Sequence, residues 1–181
     1  RCVAIRFSPL QPGTFVTVHP PPSIEEDVNQ EDLKPHKGLL CIWDVSQPDY
    51  PTWVLECSGS PVCAVFSASQ SFLLVAGTSE GVVHMWDLRE PNKIHKDRDA
   101  IDLGIERGVR KPCSSSNLIG FNASEFSTSD VDFNQHNGPV VQAEAVSTTS
   151  CSLSSVSQFA TLDASGTVIL WVTAPYTHSN E

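Results

Sequence analysis

Apolar positions in this chain come in short runs separated by turn residues, with no amphipathic helical pattern between them. The clearest stretch reads PVCAVFSAS at 61–69, QSFLLVAGTS at 70–79 and VVHMWDL at 82–88, with Glu80-Gly81 between the last two runs. Apolar runs joined by a two-residue turn that contains Gly predict a β-hairpin. The same parts recur on either side of it. VAIRFSP at 3–9 and GTFVTVH at 13–19 precede GLLCIWDV at 38–45, and PVVQAEAV at 139–146 and QFATLDAS at 158–165 precede GTVILWVT at 166–173. Fainter runs, TWVLEC at 52–57 and AIDLG at 100–104, predict a fourth strand after the first and second sets.

The tryptophan strands are apolar at successive positions. Between Gly81 and Trp86, Val82, His84 and Trp86 point one way and Val83 and Met85 the other, so both faces need cover. A buried strand of an α/β protein reads similarly, but the intervening segments carry no amphipathic helical pattern, and the all-β reading wins. Each Gly-to-Trp spacing is five residues, and Trp43 and Trp86 lie 43 apart, within the roughly 40–45-residue period of a four-stranded propeller blade. Stacked blades cover each sheet on both sides. The expected fold is therefore all-β: a partial β-propeller of about three four-stranded blades with long loop insertions. Blade-like units fall at about 1–57, 61–104 and 139–173. The Pro- and acid-rich segment 20–37 and the irregular segment 105–138 are expected to be loops, the latter explaining the 85 residues between Trp86 and Trp171.

Composition narrows the partners more than the fold. Net charge is −10, which disfavours nucleic acid and anionic membrane surfaces and is compatible with basic protein surfaces or with simple solubility. No stretch approaches ~18 consecutive apolar residues, so no membrane insertion is expected. The start, RCVAIRFSPL, lacks the regions of a secretory signal and has no Met, and reads as the beginning of an internal piece. Six cysteines form no CxxC pair, and three sit in apolar strand-like runs, which predicts buried reduced thiols and a cytosolic setting.

Candidate chemistry is sparse. His19, His36, His84, His95, His136 and His178 are scattered, with no metal-ligand spacing to one another or to Cys. There is no GxSxG turn and no GxxxxGK[ST] phosphate loop. Asp163-Ala164-Ser165-Gly166 clusters small polar groups, but its place in a hairpin makes it turn chemistry. Arg107, Arg110 and Lys111 form a basic cluster that either docks an acidic partner or keeps a loop solvated beside Asp102 and Glu106. Asn122-Ala123-Ser124 matches a glycosylation sequon, read as accidental if the thiols are cytosolic. No catalytic, metal or cofactor residues are expected, and the chain reads as a non-enzyme.

The phrases Gly38…Trp43-Asp44 and Gly81…Trp86-Asp87 resemble the WD-repeat family, as does Gly166…Trp171 with Val172 in place of the aspartate. That family often ties its blades with a hydrogen-bonded set that includes a turn aspartate just before the Gly. Here Lys37, Glu80 and Ser165 stand there, and no Gly-His pair precedes the strands. The resemblance with these departures implies blades held mainly by apolar packing. Longer phrases, GLLCIWDVSQPDYP, SFLLVAGTSEGVVHMWDLRE and FSTSD, resemble the intermediate chains of the intraflagellar-transport dynein. This implies a scaffold whose propeller grips the dynein heavy chain, alongside other dynein subunits, in the cytoplasm, the cytoskeleton and the cilium and its base. Light chains in that family bind a separate N-terminal extension. Two other classes compete: a WD-repeat interaction module of another complex, such as a ubiquitin-ligase adaptor or trafficking coat, and a propeller enzyme with carboxylates or histidines at the inner strand ends.

Overall fold

The computed structural model describes residues 1–22, 37–91, 95, 109–115, 136–147 and 156–173, and these are all strand, turn and short connection apart from one 3-10 residue. The first sheet is built from β1 (Ala4–Phe7), β2 (Thr14–His19), β3 (Lys37–Asp44) and β4 (Trp53–Ser58), hydrogen-bonded in that order. The second holds β5 (Pro61–Phe66), β6 (Leu73–Thr78) and β7 (Val83–Asp87). Two very short strands, β8 (Val109–Arg110) and β9 (Ser114–Ser115), follow. The third sheet contains β10 (Val140–Val146), β11 (Ser157–Asp163) and β12 (Val168–Thr173). All neighbours pair antiparallel except β4 and β8. Three consecutive up-and-down sheets, each with its tryptophan on the third strand, are the expected blades.

The hairpin from β6 to β7 shows why the local sequence turns where it does. Gly81 adopts φ 82°, a conformation that costs a side-chain-bearing residue about 1–2 kcal/mol. A Cβ there would also come within 2.9 Å of the carbonyl oxygens of His136 and Gly138. Register then runs from Gly77↔Val83 to Leu73↔Asp87. Gly38, at the same motif position, lies inside β3 and is enclosed by Pro61 instead. One motif letter thus serves a turn in one sheet and a close approach between sheets in another.

Packing follows from the faces. Val16, Val18, Leu40, Ile42, Leu55 and Cys57 of the first sheet meet Ala64, Phe66, Leu74, Ala76 and Trp86 of the second. The opposite face of the second sheet, with Cys63, Leu73, Val75 and Val83, meets Val140, Ala143, Phe159, Ile169 and Trp171 of the third. Covered from both sides, all six residues of β6 are buried. The thiols of Cys57 and Cys63 lie in these layers, and burial raises both pKa values, keeping them protonated and inert.

Several strand bounds differ from those expected. The stretch 105–138 is not a plain connection, because β8 and β9 lie within it: β8 extends the first sheet beside β4, and β9 pairs with β7 of the second. The intervening residues make a strap between two sheets, anchored where the Arg110 guanidinium stacks 4.0 Å from the Trp53 ring and the Cys113 amide donates to the Met85 carbonyl at 2.8 Å. The fourth strand described in the second sheet is therefore β9, after 104, while the proposed strand at 100–104 lies outside the described residues. Most of the 20–37 segment lies outside them too, and Lys37 is already the first residue of β3. The third sheet has three strands among the described residues, not four.

Candidate functional site

The eight motif residues are not brought to one place; they sit at equivalent points of three sheets. Trp43, Trp86 and Trp171 pair across their hairpins with Phe15, Leu74 and Phe159. Trp86 and Trp171 are each 1% exposed, and each faces the sheet that precedes it in the chain. Trp43 faces the corresponding direction on the first sheet, where no sheet of the described residues covers it, and is half-buried, near-parallel to Phe15 at 6.4 Å between ring centroids. The aspartates that follow have a local task. Asp44 Oδ1 accepts from the Ser46 amide at 2.8 Å, and Asp87 Oδ1 from the Arg89 amide at 2.9 Å, so each ends its strand in a turn. With Val172 in that position, β12 runs one residue further, through Thr173.

The expectation that the blades hold mainly by apolar packing misses a hydrogen-bonded set in the third sheet. Trp171 Nε1–H donates to Thr161 Oγ1 at 2.7 Å, Thr161 and His136 Nε2 are 2.7 Å apart, and His136 Nδ1 stands 3.1 Å from Asp163 Oδ2. One proton arrangement satisfies the whole line: the indole donates to the threonine, the threonine hydroxyl to Nε2, and Nδ1–H to the carboxylate. Asp163 Oδ1 also accepts from the Ser165 hydroxyl at 2.6 Å, the Ser165 amide at 2.9 Å and the Thr167 amide at 2.8 Å. The Ser165 hydroxyl bond leads in holding the Asp163 carboxyl far below its ordinary range; desolvation opposes it, and the Thr167 amide, His136 and the Ser165 amide add to it. The turn aspartate exists, but three residues before Gly166 and not one.

The same positions in the other sheets show the set being dismantled. In the first, Trp43 Nε1–H donates to Thr17 Oγ1 at 2.8 Å, but His19 occupies the aspartate's register, 2.9 Å from Thr17. In the second, Ala76 replaces the threonine and Trp86 Nε1 is buried with no partner among the described residues, while Thr78 takes the aspartate's place and accepts from the Val82 amide at 3.1 Å. His84, 5.9 Å from the Trp86 ring, donates instead to the Ser58 carbonyl of the neighbouring sheet at 3.1 Å, and desolvation lowers its pKa. Polar anchoring is complete at the third sheet and replaced by two-sided apolar packing in the middle one.

None of this is reaction chemistry. The carboxylate, imidazole and hydroxyl of the third sheet are buried and saturated by one another, with the Asp163 and His136 side chains fully enclosed. Among the described residues, no three His, Cys, Asp or Glu side chains are grouped to hold a metal ion. No helix among them is long and apolar enough to cross a membrane. What the molecule offers are broad sheet faces and rims on a rigid stack.

Fold and motif together define a partial WD-repeat-type propeller. In an alignment 188 positions long that covers 93% of its length, the chain is 30% identical to human cytoplasmic dynein 2 intermediate chain 1. It is 39% identical to the mouse protein of the same name in an alignment of 94 positions that covers 50% of the chain. These stretches are 16% and 9% of the two relatives, so the chain corresponds to a small part of either. No family model matches it.

Proposed function

We propose that this chain is a propeller segment of a non-catalytic dynein scaffold subunit, which binds the motor heavy chain in retrograde intraflagellar transport and cilium assembly. The carrying observation is the similarity to the human dynein 2 intermediate chain along 93% of the chain. A stack of sheets whose polar side chains are spent on holding blades together fits a scaffold, and the sequence holds no phosphate loop with which to hydrolyse ATP. Contact with the motor concentrates in a few well-packed residues on the blade surfaces, as interface energies generally do. Action at the ciliary base and along the cytoskeleton follows from such a partner.

The test is affinity capture of the tagged protein from ciliated cells, with identification of the bound chains and an ATPase assay on the purified protein. A dynein heavy chain should be recovered, and ATP turnover should be absent. Recovery of a ligase or coat complex without any dynein subunit would overturn the reading.

A further inference from the structure

The residues that lead into the third sheet, His136 to Pro139, are fixed at several points. The carbonyl oxygens of His136 and Gly138 back onto the Gly81 turn of the second sheet, where a Cβ would meet both at 2.9 Å. The Pro139 carbonyl accepts from the Ala164 amide at 2.8 Å, and His136 links Thr161 to Asp163. Both walls of this site, the second and third sheets, belong to the chain itself. Between the fixed points stands Asn137, exposed and followed by Gly138. It is the only one of the seven asparagines in the sequence with a glycine after it. The fold does not call for that glycine: its φ is not left-handed, and a Cβ there would meet nothing within 4 Å. Among the described residues, neither the Gly138 amide nor the Asn137 carboxamide is engaged in a hydrogen bond.

We propose that Asn137-Gly138 is a site of covalent self-modification, where the asparagine cyclises and hydrolyses to aspartate or isoaspartate and thereby loosens the hold between the second and third sheets. Asparagine is a thermolabile residue, and this one combines exposure with an unhindered neighbour. The Gly138 nitrogen gives its proton to solvent base and attacks Asn137 Cγ; a C–N bond forms, and the side-chain nitrogen takes up a proton and leaves as ammonia. Water then opens the cyclic imide at either carbonyl. Water is the only co-reactant, so the step needs no oxidant or cofactor. The missing side chain at 138 leaves the attacking nitrogen open, and the missing hydrogen bonds leave both reacting groups free to approach each other. Opening at the α-carbonyl of residue 137 routes the backbone through Cβ and Cγ, which adds a methylene between His136 and Gly138 and frees a carboxylate. With the carbonyls of His136, Gly138 and Pro139 already placed, that extra length displaces either His136 from Asp163 or the loop from Gly81.

Incubation of the intact folded protein in mildly alkaline buffer, followed by peptide mapping in a mass spectrometer and labelling with an isoaspartate-specific methyltransferase, tests this. Asn137 should convert severalfold faster than the other six asparagines of the sequence, with isoaspartate among the products. Gly138→Ala should slow the conversion severalfold and leave the unfolding midpoint unchanged, since the added methyl enters open space. The isoaspartate fraction should show faster hydrogen exchange at the Ala164 amide and through β10 than unconverted protein. Asn137→Asp, which brings the charge without the extra methylene, should show a smaller change. Conversion at Asn137 no faster than at the other asparagines, equal conversion in Gly138→Ala, or unchanged exchange in the isoaspartate fraction would each overturn the proposal.

Discussion

Replacing Trp86 with alanine is expected to destabilise the chain by ~3 to 5 kcal/mol, the usual cost of deleting a large buried aromatic side chain. Trp86 is 1% exposed and lies between the first and second sheets among Val16, Ile42, Leu55 and Phe66. Its indole N–H has no partner among the described residues, so the substitution forfeits no hydrogen bond to them and the loss is one of burial and cavity. Because the middle sheet is packed on both faces, collapse of the neighbours into the void is resisted from the far side as well. Urea unfolding should show a clearly lower midpoint, and an unchanged midpoint would show that the two sheets are not packed as described.

The second large effect is expected at His136, which links Thr161 to Asp163 inside the third sheet. His136→Ala leaves the Thr161 hydroxyl and one carboxylate oxygen without this partner in a dry site, a loss of about 1–3 kcal/mol before any cavity is counted. The carboxylate adds a pH signature. Asp163 has its pKa lowered on folding, so its contribution to stability is fully present above the unfolded-state value of about 3.9 and is lost as pH falls below it. Asp163→Asn removes that titration and points amide hydrogens at groups that themselves donate. The stability gap between wild type and Asp163→Asn should therefore be widest near neutrality and shrink as the medium is acidified below about pH 4. A gap independent of pH across that range would mean that the carboxylate is not held by these donors.

Strand positions were legible because the apolar runs are short, too short for helices, and the turns between them carry Gly. The successive apolar residues of VVHMWDL also showed that the middle sheet is covered on both faces, as Trp86 and Val83 confirm from opposite sides. What stayed hidden depends on register across a hairpin or on distant chain. Thr161 sits ten residues before Trp171 and is visible as its partner only once the strands are aligned. Thr17 lies 26 residues before Trp43 because the hairpin between them carries an insertion. His136 reaches Asp163 from 27 residues away, and its sequence, His136-Asn137-Gly138, disguises the pairing. The short strands β8 and β9 have two residues each, too few for any periodicity, and are held by the sheets they join. The motif residues themselves are a scaffold's skeleton, and spacing alone does not say which surface a partner takes.

The stacking of three sheets in chain order, with the second enclosed, underlies every conclusion about surface and partner. Residue-resolved hydrogen exchange of the intact chain measures it directly, because amides in the enclosed sheet open only with the larger unfolding events. The slowest exchange should fall in β6, Leu73–Thr78, with β7 close behind, and β1 at the edge of the first sheet should exchange much faster. If β6 exchanged as rapidly as β1, the middle sheet would not be enclosed, and the stacked-blade account would be wrong.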